Sequence, residues 1–117
     1  MQFTAFARTG LTVSRLCLGT GTFGKQADEQ ESFRIFDKAA DAGVNFIDTA
    51  DMYPGGADLT EVGSAETITG RWLKGKRDRF ILASKGRRPN GTFALGPGLV
   101  AQAPAGCDRC FLAAARL

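Results

Sequence analysis

Histidine is absent from this 117-residue chain, and its three cysteines are Cys17 and a C-x-x-C pair, Cys107 and Cys110. A structural zinc site usually needs two such pairs or added histidines, and a redox pair usually lies within a thioredoxin-like βαβ pattern. Neither context is present, so we expect no bound metal. With one odd thiol and no signal peptide, a disulfide framework is not expected either.

Long apolar runs are also missing. No stretch approaches the roughly 18 apolar residues that a membrane helix needs, and no secretory hydrophobic segment follows the N-terminus. We therefore expect no membrane partner and a cytoplasmic location. Residues 1–86 carry 11 basic and 11 acidic residues, so the net charge of +3 comes entirely from the tail, which has four arginines and one acidic residue, Asp108. This distribution does not predict a nucleic-acid partner.

What the sequence does contain is an alternation of short apolar runs with amphipathic segments. The predicted strands are residues 16–18, 44–47 and 80–83, and the predicted helices are residues 29–42 and 64–75. Asp28 with Glu31 makes a capping-box-like start for the first helix, and Gly43 supplies its stop. Ser64 is the expected cap of the second helix. This order predicts an α/β fold with a parallel sheet, either a closed barrel or an open doubly wound sheet.

From residue 87 onward the composition changes. Three of the four prolines lie here, seven residues are alanine, and only Asp108 is acidic. No helical or strand period is sustained, although residues 111–117 could form a turn or two of helix. The sequence therefore predicts a domain over residues 1–86 and a disordered, irregular tail over residues 87–117.

Candidate chemistry lies at the carboxyl ends of the predicted strands. Asp48 and Lys85 each follow a strand, and Tyr53 lies in the loop above the same edge, where α/β folds build their sites. A free tyrosine ionises only at about pH 10, and an adjacent ammonium such as Lys85 would stabilise its phenolate. Asp48 would keep Lys85 charged and fixed in direction, so that Tyr53 acts as a general acid.

Two alternatives compete with this interpretation. Taken singly, each residue has a purely structural interpretation: Asp48 caps a turn, Tyr53 is a half-buried loop aromatic, and Lys85 is a solvated residue at a strand end. Their joint placement at the strand ends favours a functional site. The second alternative is a small Rossmann-type dinucleotide binder, because Gly19, Gly21 and Gly24 match G-x-G-x-x-G. The last glycine of that fingerprint should lie inside the helix, whereas the predicted helix starts after Asp28.

Four motifs resemble those of the aldo-keto reductase family. They are LGTGTFG (residues 18–24), GVNFIDTA (43–50), MYP (52–54) and ASK (83–85). The resemblance covers residues 3–86 and implies the first two to three β/α units of a (β/α)8 TIM barrel. It also implies reduction of a small-molecule aldehyde or ketone by hydride from NADPH.

The same resemblance implies roles for individual residues. The three implied members of the family's catalytic tetrad are Asp48, Tyr53 and Lys85, with Tyr53 as the proton donor. The residues implied to lie beside the NADP(H) cofactor are Gly21, Thr22, Phe23 and Asp48. The glycine motif then becomes a loop at the barrel mouth.

The chain also departs from the family. The family's fourth tetrad residue is a histidine after the next strand, and this chain has no histidine. The phosphate site of such barrels is commonly built by the loops after strands 7 and 8, which are also absent here. We therefore expect this chain alone to be inactive, marginally stable and prone to aggregate. An interruption of the reading frame near residues 86–90 would explain the tail. A noncatalytic interaction fragment is a further alternative, and the oligomeric state stays open.

Overall fold

Parallel strands with helices between them carry the candidate residues. The computed structural model describes residues 1–58, 60–86, 98–102 and 111–114. The elements in chain order are β1 (Phe3–Ala5), β2 (Thr12–Ser14), β3 (Cys17–Gly19), α1 (Glu29–Asp41), β4 (Phe46–Ala50), α2 (Ser64–Leu73), a 3-10 helix (Arg77–Arg79), β5 (Ile81–Gly86), β6 (Gly98–Gln102) and β7 (Phe111–Ala114). Strands β1 and β2 form an antiparallel hairpin, and the other five form one sheet in sequential order. The pairs β3–β4 and β4–β5 are parallel, which confirms the predicted α/β arrangement.

Helix α1 begins and ends close to where the sequence predicts. The Asp28 carboxylate accepts a hydrogen bond from the Glu31 N–H at 2.8 Å and so satisfies one free donor of the first turn. At the other end, Gly43 has a φ of +85°, a left-handed conformation that favours glycine. The predicted N-terminal cap and C-terminal glycine of this helix are both confirmed.

An aromatic stack forms the core between the helices and the sheet. The Phe36 and Trp72 rings lie parallel with centroids 4.4 Å apart, and Phe23 meets Phe36 edge-on at 5.0 Å. Phe80 meets the other side of Trp72 at 4.8 Å. The Trp72 indole N–H donates to Asp37 Oδ1 at 2.7 Å, so this large residue is buried without losing its hydrogen bond.

Strand β4 begins two residues later and ends three residues later than predicted. The prediction placed residues 44–47 in the strand, but the Val44 N–H bonds to the Ala39 carbonyl and belongs to the helix ending. The Asn45 side chain accepts from the Ser14 N–H at 2.7 Å and ties β4 to the β1–β2 hairpin, which the sequence did not predict. The strand continues through Ala50 because residues 46–50 all pair with β5.

The second helix and β5 also differ from prediction in their ends. Ser64 is the first helical residue and not the cap; Gly63, with a φ of +85°, takes the cap position and makes no side-chain bond. The helix ends at Leu73 and not at residue 75. Strand β5 begins at Ile81, because the Phe80 N–H closes the 3-10 turn, and it includes Lys85, which was expected to follow the strand.

The tail corrects one expectation. Residues 98–102 and 111–114 were expected to be irregular, with a possible helical turn near the end, but they form β6 and β7. Both pairs, β5–β6 and β6–β7, are antiparallel. A free strand edge offers backbone donors and acceptors with which any extended segment can pair. Because this pairing uses backbone atoms, it requires no alternation of apolar and polar side chains, and the sequence therefore gives little sign of it. Cys107 and Cys110 lie outside the described residues. No helix in the described ranges is long and apolar enough to cross a membrane.

Candidate active site

The register of the parallel strands brings Asp48 and Lys85 to one face of the sheet. Asp48 pairs with Ala83, and Ala50 pairs with Lys85, so both candidate side chains lie at the carboxyl ends of adjacent strands. Ile47 packs into the aromatic core on the helix side. Because side chains alternate along a strand, Asp48 faces away from the helices, and so does Lys85.

The Lys85 ammonium is held by two acceptors. Its Nζ donates to Asp48 Oδ2 at 2.5 Å and to the Thr49 backbone carbonyl at 2.8 Å. Burial lowers the pKa of Lys85, but the interactions with Asp48 and Tyr53 outweigh that effect, and the pKa lies above its usual value. The ammonium is therefore charged at neutral pH and fixed in direction.

Tyr53 lies next to this ammonium. Lys85 Nζ is 4.7 Å from the centre of the Tyr53 ring, and the Tyr53 N–H donates to the Ala50 carbonyl at 3.1 Å. Gly21 covers another side of the ring, because a Cβ built on Gly21 would lie 3.7 Å from Tyr53 Cζ. The structure thus brings together the three residues predicted to be catalytic.

A cavity of about 370 Å³ opens beside the phenol and the ammonium. The residues that line it are Ala50, Asp51, Met52, Tyr53, Gly55, Gly56 and Lys85. This volume lies within the range of small-molecule pockets, about 300–1,000 Å³. A small molecule in this cavity would lie against both Tyr53 and Lys85.

The predicted cofactor residues divide into two groups. Gly21 and the exposed Thr22 lie at the mouth near Asp48, where the Thr20 N–H donates to the Asp48 carbonyl at 3.0 Å. Phe23 is only 2% exposed and packs edge-on against Phe36, so its side chain belongs to the core.

The third glycine of the G-x-G-x-x-G match has another use. Gly24 lies in the loop five residues before Glu29, the first residue of α1, and has a φ of +88°. A Cβ at Gly24 would lie 2.3 Å from Ser64 Oγ, so this glycine allows close packing against α2. The last glycine of a dinucleotide fingerprint lies inside the following helix, and Gly24 does not.

Sequence reasoning missed three contacts around the site. The Thr49 carbonyl is a backbone acceptor and has no sequence signal. The Ser84 hydroxyl donates to Glu66 Oε1 and ties the end of β5 to α2 on the helix side. Lys25 bonds to the loop that carries Tyr53, although nothing in the sequence distinguishes it from a solvated loop lysine.

Together these features define a β/α fold in which a carboxylate, a phenol and an ammonium lie close together near the carboxyl ends of the parallel strands. Comparison with known proteins identifies the family. The profile described as "Aldo/keto reductase family" matches residues 15–114, and the chain belongs to this family. The matched range continues past residue 86, where the recognisable motifs end.

Three relatives illustrate the match. Over 92 residues the chain is 45% identical to the uncharacterized oxidoreductase YrpG of Bacillus subtilis, covering 76% of this chain and 27% of that protein. It is 38% identical over 88 residues to an uncharacterized 11.2 kDa protein of Pseudescherichia vulneris, covering 73% of this chain and 85% of that protein. The holo form of aldo-keto reductase AKR11C1 from Bacillus halodurans matches with a TM-score of 0.62 and 33% identity, covering 79% of this chain and 28% of that chain.

The chain therefore spans about a quarter of the length of YrpG and of the Bacillus halodurans enzyme. Strands β3, β4 and β5 with helices α1 and α2 are the first β/α units of a (β/α)8 barrel. This confirms the predicted fold class and the predicted family.

Proposed function

We propose that Asp48, Tyr53 and Lys85 form the carbonyl-reducing site of an NADP-dependent aldo-keto reductase of which this chain represents the first part. One observation carries the proposal: a Lys85 ammonium, fixed by Asp48 Oδ2 at 2.5 Å, lies 4.7 Å from the centre of the Tyr53 ring. The substrate class is a small aldehyde or ketone that enters the cavity of about 370 Å³.

The proposed step is transfer of a proton from Tyr53 to the substrate oxygen. As a hydride adds to the carbonyl carbon, negative charge develops on the oxygen, and the phenol hydroxyl neutralises it. The nearby Lys85 ammonium stabilises the phenolate that remains. Asp48 keeps that ammonium charged and stops it from turning away, because its carboxylate and the Thr49 carbonyl both accept from Nζ.

NADPH supplies the hydride when it is bound. The side chains that would contact its reactive ring are those of Thr22 and Asp48, and Gly21 would lie against the ring without a side chain between them. Phe23 would support this loop from the core, where it packs on Phe36. The family relationship and the polar, exposed character of Thr22 support these assignments.

We further propose that the 117-residue chain does not turn over by itself. It contains no histidine, the residue type of the family's fourth tetrad member. Purified chain mixed with NADPH and aliphatic or aromatic aldehydes should leave the absorbance of the reduced nicotinamide unchanged. Steady NADPH oxidation would show that the described strands suffice.

A chimera tests the proposed chemistry directly. Residues 1–86 of this chain replace the matched segment of the Bacillus halodurans aldo-keto reductase, after the parent enzyme's own cofactor and carbonyl substrate have been measured. We expect the chimera to reduce the same carbonyl compound with the cofactor that the parent enzyme uses. Tyr53→Phe should lower kcat/KM by about 10²- to 10⁴-fold, the usual contribution of a general acid.

The substitution Val62→Ile is the matched control, because Val62 lies on the same loop, is 38% exposed and does not line the substrate cavity. It should leave kcat within a factor of about two, the effect usual for an exposed residue. A Tyr53→Phe chimera that folds and keeps the full rate would disprove the role of Tyr53.

A further inference from the structure

The loop that carries Tyr53 is tied to the preceding loop at two places. Near the ring, the Gly55 N–H donates to the Gly21 carbonyl at 2.9 Å. Farther out, Lys25 Nζ donates to the Gly56 carbonyl at 2.5 Å and to Glu61 Oε2 at 3.2 Å. The two loops therefore meet along one seam, with the Tyr53 ring against Gly21 beneath it.

The acceptor side of this seam is itself well held. Glu61 Oε2 also accepts from the Asp58 N–H at 3.0 Å, and the Gly63 N–H donates to the Tyr53 carbonyl at 3.0 Å. The Asp58 N–H first, and then Lys25, lower the pKa of Glu61 below its usual value, so the carboxylate is charged near neutral pH. Lys25 thus binds a loop whose base is already closed at Tyr53 and Gly63.

We infer that Lys25 is a positioning residue that clamps the Tyr53 loop onto the Gly21 loop and so holds the phenol over Lys85. Lys25 does not itself line the substrate cavity and contacts none of the reacting groups; it acts through the loop, by its bonds to the Gly56 carbonyl and to Glu61. This inference deepens the proposed function, and it rests on that function for the role of Tyr53 as proton donor. The clamp itself is a property of the described chain and needs no catalysis.

The chain offers a specific probe, because Tyr53 is its single tyrosine and Trp72 its single tryptophan. Nitration of the full 117-residue chain by tetranitromethane, followed at the Tyr53 peptide by mass spectrometry, measures access to this ring alone. Trp72 fluorescence, from a ring stacked on Phe36, reports the fold of the same samples.

Lys25→Met removes the ammonium and keeps an unbranched side chain. We expect Tyr53 nitration to rise about two- to fivefold, the size that fits the loss of one half-exposed ion pair, with Trp72 fluorescence unchanged. Lys25→Arg restores a cation and should return the rate to that of the original chain. Lys38→Met is the matched control, since Lys38 is exposed in the last turn of α1, and it should have no effect.

Glu61→Gln removes the negative partner of the same ion pair. If Lys25→Met alters Trp72 fluorescence and so disturbs the fold, nitration of the Glu61→Gln variant is the test of the clamp. The inference would be overturned by unchanged nitration in Glu61→Gln, or by equal nitration rates in the Lys25→Arg and Lys25→Met variants. Nitration of the unsubstituted chain at the rate of free tyrosine would do so as well. The assay involves no turnover, so its outcome is separate from the chimera test of Tyr53 as a proton donor.

Discussion

Replacing Asp48 by Asn tests the electrostatic basis of the site. The substitution removes the negative charge that lies 2.5 Å from Lys85 Nζ but keeps an oxygen that can accept a hydrogen bond. The Thr49 carbonyl, at 2.8 Å, stays in place as a neutral acceptor. Burial then acts on Lys85 without the opposing carboxylate, so we expect the pKa of Lys85 to fall.

The size of the effect follows from the geometry and the exposure of the pair. Opposite unit charges 2.5 Å apart attract by about 1.7 kcal/mol at the dielectric constant of water. The Lys85 and Asp48 side chains are 39% and 32% exposed, so solvent screening keeps the net value low. We expect Asp48→Asn to lower the free energy of unfolding at neutral pH by about 0.5–1 kcal/mol, because screening reduces the full Coulomb attraction.

The pH dependence has a defined sign. The pKa of Lys85 is raised in the folded chain above its ordinary value of 10.5, so this group stabilises the fold fully below that pH. The stabilisation is lost as pH rises through the folded pKa. The difference between the original chain and Asp48→Asn should therefore be constant from neutral pH to about 9 and decrease above about 10.5.

Two measurements check this prediction. Urea unfolding followed by Trp72 fluorescence gives the free energies, and competitive acetylation with mass spectrometry gives the titration of Lys85 in both chains. The reasoning is refuted if Asp48→Asn raises the pKa of Lys85 or leaves it unchanged.

Three further substitutions test the fold, each by urea unfolding. Phe36→Ala opens a cavity beside Trp72 and should cost about 3–5 kcal/mol; a cost below about 1 kcal/mol would show that the stack is not packed as described. Gly24→Ala forces a side chain at φ +88° to within 2.3 Å of Ser64 Oγ and should cost about 1–3 kcal/mol, with partial recovery in the double variant with Ser64→Gly. Asp28→Ala removes the α1 cap and should cost about 0.5–2 kcal/mol, whereas Asp28→Asn should be nearly neutral.

Local signals in the sequence predict local structure well. The first helix is bounded by Asp28 and Gly43, whose effects act within a few residues, and both ends are found where they were expected. The ends of β4 and β5 depend instead on which residues pair across the sheet. Periodicity ended β4 at residue 47, but pairing with β5 extends it to Ala50 and places Lys85 inside a strand.

The grouping of the candidate site residues was predictable for a related reason. Carboxyl ends of parallel strands meet at one edge, so the order of elements alone brings Asp48 near Lys85. The contacts that orient them were not predictable, because the Thr49 acceptor is a backbone atom and the Lys25 contact spans 31 residues of sequence. The roles of these residues in catalysis stay predictions until the chimera is measured.

The antiparallel strands of the tail cover one edge of β5. In a (β/α)8 barrel every strand has parallel neighbours, but here β6 occupies the edge of β5 on which the next parallel strand would pair. A chain cut after residue 97 lacks β6 and β7, and its β5 edge is free to pair with other chains.

We expect this shorter chain to self-associate at concentrations where the full chain does not, as measured by sedimentation velocity. Ala101→Pro in the full chain is the matched variant, because β6 is flanked on both sides and proline removes an N–H from one of its ladders. It should move the sedimentation profile in the same direction without changing the length of the chain. If both variants sediment as the full chain does, β6 does not protect the β5 edge from pairing with other chains.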